Sequence, residues 1–260
     1  MADHDPLQEF FERPLAPPEE SVLHALQRPI DAHHALPLAD KDRLLDPAPM
    51  DPESGWCVMD DGVGYVAVRT SMPGTSTAMC DWWFDWQRRD SRRYQVWYPP
   101  AHFGISYTPP VVPGAKPYWG ATHYADEDIG MGREVLRIDF MAPAQLGFCA
   151  DALERPRVGT IVGGLTGSPK RHMQHSVMVH VFLEDSDGVV LRSRFWIGAV
   201  LRPYLHGAVG DTLGRLVNRP VVRLRLPFGR AAEKLAHHCA AEYARLAALL
   251  PDLYERFASA

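Results

Sequence analysis

The tightest constraint lies near the carboxyl end, where Ala231 to Leu250 carries the 3.6-residue apolar period of an amphipathic helix with a carboxylate inside its apolar arc. At about 100° per residue, with Leu235 at zero, Cys239, Leu246 and Leu249 fall within roughly 40° of it. Glu242 falls at roughly −20° and His238 at roughly −60° on the same wheel. His237 points away and reads as a rim or solvated residue. An unpaired carboxylate on a buried face costs several kcal/mol, so Glu242 has to be neutralised, paired or metal-bound. The i,i+4 spacing lets His238 and Glu242 converge on one ion. A hydrogen-bonded pair, or an arginine reaching from a sheet, would satisfy the same pattern. Pro251 is expected to stop this helix, leaving a short segment over Asp252 to Phe257.

A helix with one apolar face needs a surface to bury it against, and the preceding 170 residues read largely as strands. Ser176 to Leu183 and Val189 to Val200 are β-branched and aromatic runs joined by Glu184-Asp-Ser-Asp-Gly188, a hairpin signature. Gly62 to Thr70 reads as a strand, and Glu134 to Phe140 alternates with the period of two expected of a half-buried strand. Pro220 to Leu226 is expected to add another strand. Met79 to Tyr94 reads as a helical or aromatic-rich connector. The fold class expected is α+β, an antiparallel sheet gripping the terminal helix. Residues 1–58 are rich in proline and acid, with a short helical candidate at Glu20 to Gln27. They read as an N-terminal arm or subdomain, packed on the body over 59–260 or on a second subunit in a homodimer.

Lys and Arg number 27 against 32 Asp and Glu, a net charge of −5, which gives no electrostatic footprint for nucleic acid or anionic lipid. No apolar run approaches the ~20 residues of a membrane span, and the acidic start lacks a signal-peptide pattern, so a cytoplasmic protein is expected. Cys57, Cys80, Cys149 and Cys239 are scattered and read as small buried side chains. Dinucleotide, P-loop, α/β-hydrolase and zincin signatures are absent. Gly163 to Lys170 reads as a strand-connecting turn.

Two further segments bear on the His238–Glu242 pair. Tyr94 to His102 ends in a histidine just after a double proline, on backbone able to aim a side chain into a cavity. Thr122 to Gly130 offers His123, Asp126, Glu127 and Asp128 ahead of a strand. Imidazole and carboxylate ligands from three segments would make a two-histidine, two-glutamate set that suits zinc, with manganese, iron or cobalt also compatible. The Trp82-Trp83-Phe84-Asp85-Trp86 cluster reads as core or as the wall of an aromatic ligand pocket. Arg192 and Arg194 read as partners for a sheet or buried carboxylate.

Together Asp81 to Trp86, Arg93 to Trp97 with Pro99-Pro-Ala-His102, His123 to Gly130, Arg192 to Gly198, and His238 to Glu242 with Leu250 to Tyr254 resemble the diacetylphloroglucinol hydrolase and phloretin hydrolase family. The matches run in order from about residue 60 to the carboxyl end. The resemblance implies a helix-grip fold like that of the Bet v 1 and START proteins. It also implies zinc-dependent hydrolysis of the carbon–carbon bond between a polyhydroxylated aromatic ring and its acyl group. The implied substrate is a small aromatic acyl ketone. It assigns the metal to His102, Glu127, His238 and Glu242 and places Tyr94 near the ring hydroxyls, where it would orient one of them; His123 and His180 are the candidates for proton transfer. Tyr94, Trp86, Tyr98 and Arg194 make up the substrate-contacting set. Gln87 and Tyr98 stand where relatives tend to have histidines, and Ile105 where an asparagine is expected. A non-catalytic cup for aromatic polyketides is the competing reading, as is a family member redirected to another polyketide; two inward carboxylates are a feature a carrier does not need.

Overall fold

The expected hairpin forms the middle of an eight-stranded antiparallel sheet in the computed structural model, which describes residues 5–111, 114–205 and 207–259. The strands are β1 (Gly55–Val58), β2 (Gly64–Pro73), β3 (His102–Thr108), β4 (Thr122–Glu127), β5 (Glu134–Met141), β6 (Val158–Ser168), β7 (Met173–Asp185) and β8 (Gly188–Pro203). Their order is β1-β2-β8-β7-β6-β5-β4-β3. The hairpin is β7–β8, closed where Asp185 faces Gly188. Both faces of the central strands are covered. That accounts for β7 reading as a nearly continuous apolar run instead of an alternating one.

On one face lies the terminal helix, Phe228–Phe257, against β1, β2 and β8. Ala232, Ala236, Cys239, Tyr243, Leu246, Leu249, Leu250 and Leu253 bury the apolar arc that the period indicated. The other face carries a second core of Tyr65, Val179, Val181 and Trp196, covered by the 3₁₀ segment Leu38–Leu45. The aromatic connector resolves into a helix at Thr77–Trp86, capped by Ser76, and another at Ser91–Trp97, capped by Asp90. Leu7, Phe10, Val22 and Leu26, from the proline-rich start, join the core beneath the terminal helix. Arg245 fastens that start, its guanidinium donating to the carbonyls of Phe10, Arg13, Pro14 and Val96.

Four local expectations are corrected. The terminal helix does not stop at Pro251 but continues to Phe257. Leu253 is fully buried beyond the proline, and Phe257 packs against Phe10 and Trp86, so tertiary contacts offset the missing backbone donor. Pro220 to Leu226 is not a strand: Pro220 opens a short helix, Pro220–Arg223, because its fixed φ suits a first helical turn. The glycines of Gly163 to Ser168 lie inside β6 and make no turn. A Cβ on Gly164 would stand 2.2 Å from the carbonyl oxygen of Asp139, so close strand approach explains that glycine. His123 to Glu127 likewise belong to β4 and do not precede a strand. Among the described residues no helix is long and apolar enough to cross a membrane.

Candidate metal centre

Three elements converge under the open half of the sheet. The Tyr98–Ala101 turn, forced by the double proline, delivers His102 as the first residue of β3, its backbone N–H bonded to the Tyr98 carbonyl. In the β3–β4 pairing His102 stands opposite Glu127, the last residue of β4. The terminal helix supplies His238 and Glu242 one turn apart from across the cavity. All four are buried or nearly so.

One ligand atom from each of His102, Glu127 and His238 lies within 4.8 Å of the other two. Oε2 of Glu242 lies 3.3 Å from Nε2 of His102 and 3.6 Å from Nε2 of His238, while Oε2 of Glu127 is 3.9 Å from Nε2 of His102. Donor atoms ~2.1 Å from a tetrahedral ion stand about 3.4 Å from one another, so these separations suit a shared cation. The tautomer of His102 argues the same way. Its Nδ1–H donates to the Tyr94 carbonyl at 3.3 Å, so that in the neutral ring Nε2 is a lone pair facing the Glu242 carboxylate. Nε2 is buried and makes no hydrogen bond, although Glu242 is near enough. Two lone pairs at that distance repel unless a proton or a metal ion lies between them. The donor set therefore fits a metal ion.

The surroundings hold these groups in place. The Tyr94 ring stacks on His102 at 4.2 Å between centroids, and its hydroxyl donates to Oε2 of Glu127. Nε1 of Trp97 donates to the Glu242 carbonyl at 2.9 Å, fixing that turn of the helix. Tyr98 meets both His102 and His238 edge-on. Burial pushes the Glu242 carboxyl up, but His238 and His102 outweigh it and bring it down to about 2. Burial disfavours the His238 imidazolium, and the Glu242 carboxylate more than offsets this, raising its pKa. Tyr94 is driven well above its ordinary value by burial and by Glu127, so it stays a neutral donor.

Glu127, His238 and Glu242 of the cluster line a cavity of about 410 Å³, mostly apolar, walled by Phe84, Ile138, Phe140, Met178 and Phe195. Other site candidates distribute unevenly around it. His123 and His180 both line it, His180 with Nδ1 2.8 Å from the Ser193 hydroxyl. Trp86 stacks on Trp82 and Phe257 in the core instead. Arg194 alternates with the inward-facing Phe195 and sits beside Met50 and Glu53 on the far face of the sheet. Arg192 goes the same way, donating to Glu53 and to the carbonyls of Leu44, Asp46 and Ala48. One cavity residue escaped the sequence reading. Tyr243 follows the ligand Glu242, and its buried hydroxyl has no partner; the apolar arc hid it as one more core aromatic. Gln87, which stands where relatives tend to have a histidine, also reaches the cavity, from a single 3₁₀ turn between the two connector helices.

Comparison with known proteins points the same way. A family model described as "DAPG hydrolase PhiG domain" matches residues 36–255. A 2,4-diacetylphloroglucinol hydrolase of Pseudomonas protegens is 30% identical over 273 residues, covering 97% of this chain and 84% of that protein. A phloretin hydrolase of Eubacterium ramulus is 31% identical over 254 residues, covering 94% of this chain and 88% of its own length.

Proposed function

The chain belongs to the DAPG hydrolase PhiG domain family, and from that premise we propose that it hydrolyses the bond between a polyhydroxylated aromatic ring and its acyl group, releasing a carboxylic acid. Family membership makes it a hydrolase. The substrate class proposed is the acylphloroglucinol-type ketone, the chemistry shared by the two compounds in the relatives' names. The metal proposed is zinc, held by His102, Glu127, His238 and Glu242, on a helix-grip scaffold. The observation that carries the reading is the unpaired Nε2 of His102 facing, at 3.3 Å, the carboxylate of Glu242, which itself lines an aromatic-walled cavity.

A ring carbon cannot leave as a bare aryl anion. It departs once a proton has been placed on the carbon bearing the acyl group, when the ring becomes a keto tautomer and the leaving group an enolate. Zinc bound there would supply Lewis-acid polarisation of an oxygen and a hydroxide near neutral pH. The chain supplies the rest. Phe84, Phe140 and Phe195 hold the ring and exclude water. His180 is assigned the proton transfer: its Nδ1 is tied to Ser193, and burial lowers its pKa to about 4, so a neutral imidazole faces the substrate. Tyr94 holds Glu127 in position.

The test is elemental analysis of protein purified without chelator, coupled to a panel of acylphloroglucinols assayed for released acid. About one metal ion per chain is expected, with acid release lost on chelation and restored by zinc. Full activity without metal would reject the centre; metal-loaded protein inert on the whole panel would reject the substrate class.

A further inference from the structure

We propose that Gln87 and His123 form a hydroxyl-binding subsite in the buried wall of the cavity, one that takes the ring hydroxyl opposite the acyl group and selects trihydroxylated over dihydroxylated rings. This rests on the reading above that the cavity holds an acylphloroglucinol-type ring.

Both side chains are almost wholly enclosed, Gln87 2% and His123 1% exposed, and both line the cavity. Oε1 of Gln87 and Nε2 of His123 have no hydrogen-bond partner, in a region otherwise formed by Phe84, Ile105, Ile138 and Phe140. Burying such atoms without partners is costly, and a ligand hydroxyl, able to donate and accept at once, relieves both. The two residues belong to one locality. The guanidinium of Arg88, next to Gln87, lies 4.2 Å over the Tyr107 ring, which itself is 6.2 Å from His123.

The position is right for a ring. His123 and Glu127 occupy one face of β4 with Ala125 between them, which puts their backbones about 13 Å apart. A ring whose acyl carbonyl lies at the ligand cluster therefore directs its opposite hydroxyl toward His123. The far rim is different in kind: Met131 and Arg171 are exposed there, with the half-buried Glu134 between them. Burial, then the nearby Arg88, brings His123 down to about 3, so it presents one donor and one acceptor and no charge. Neutral imidazole and amide suit a phenol better than an anion.

The experiment uses metal-loaded protein with 2,4,6-trihydroxyacetophenone and 2,6-dihydroxyacetophenone, which differ in that one hydroxyl. Binding is read by titration calorimetry and turnover is followed separately. Wild type is expected to bind the trihydroxy ketone about tenfold or more tightly than the dihydroxy one. Gln87→Leu and His123→Phe should each erase most of that preference while leaving the dihydroxy affinity within about twofold. Gln87→Met, close in volume, replaces the leucine variant should packing suffer. If wild type shows no preference, or the variants weaken both ketones equally, the subsite is rejected and the two side chains are a packing pair. An inert protein that still discriminates would reject the hydrolase reading and keep the subsite; an active enzyme that does not discriminate would do the reverse.

Discussion

The phenol of Tyr94 donates its hydrogen to Oε2 of Glu127, so that a helix residue and the last residue of β4 are locked together at the candidate metal site. The Tyr94 carbonyl meanwhile accepts Nδ1–H of His102. Tyr94→Phe keeps the ring stacked on His102 and removes the hydroxyl alone. Metal affinity is expected to fall by roughly 10- to 100-fold, measured by competition with a chromophoric chelator, while the thermal midpoint of the metal-free protein stays close to wild type. Unchanged affinity would mean that the hydroxyl does not position Glu127.

Metal occupancy should also register as stability. An ion that binds the folded chain stabilises it by about 4 kcal/mol when present at ~1,000 times its dissociation constant. Chelation is therefore expected to lower the melting temperature of wild type, and zinc to restore it in a concentration-dependent way. Glu242→Gln, which keeps the volume and removes the charge, should lose that zinc-dependent increment together with turnover; so should His238→Ala. Either variant purifying with full metal would sink the ligand assignment.

Arg245 has a separate role. It is 1% exposed, and its donors reach four backbone carbonyls, three of them in residues 10–14. Arg245→Met leaves those carbonyls buried without donors, at a cost of roughly 3–5 kcal/mol. Denaturant titration should show the loss, and limited proteolysis should cut first between the proline-rich start and β1.

Acid should weaken the fold through histidines outside the metal cluster. Burial, reinforced by Arg88 for His123 and by Arg171 for His175, holds these two imidazoles down to about 3 and about 4. The unfolded chain takes up those protons near pH 6.5. The contribution is therefore complete above that pH and is lost as pH falls toward the folded values. Each group should cost about 2 kcal/mol at pH 5. The urea midpoint of metal-free protein should fall between pH 7 and 5, and His123→Phe should make that fall distinctly shallower. An unaltered slope would clear His123 of the effect.

Legibility followed the range of the interactions. Glu242 and His238 stood out because a 3.6-residue period is a local property, and a carboxylate in an apolar arc needs an explanation wherever the helix docks. The β7–β8 hairpin was legible for the same reason, through Glu184 to Gly188. Gly163 and Gly164 misled because glycine marks a turn and a close strand approach equally well, and the carbonyl of Asp139 that requires Gly164 lies on another strand. Pro251 misled because the contacts carrying the helix past it, Leu253 in the core and Phe257 on Phe10, are distant in sequence. Arg194 was placed toward substrate although the alternation of β8 sends it outward, to a glutamate in a segment with no strand or helix signal.

Because His102 and Glu242 are 140 residues apart along the chain, translation at roughly 5–20 residues per second separates their appearance by about 7–28 seconds. During that interval only one imidazole–carboxylate couple of the proposed set, His102 with Glu127, has been made. The same late helix carries His238 and Glu242 to the first couple and Arg245 to the carbonyls of Phe10, Arg13 and Pro14, so the proposed metal site and the seat of the proline-rich start depend on one element.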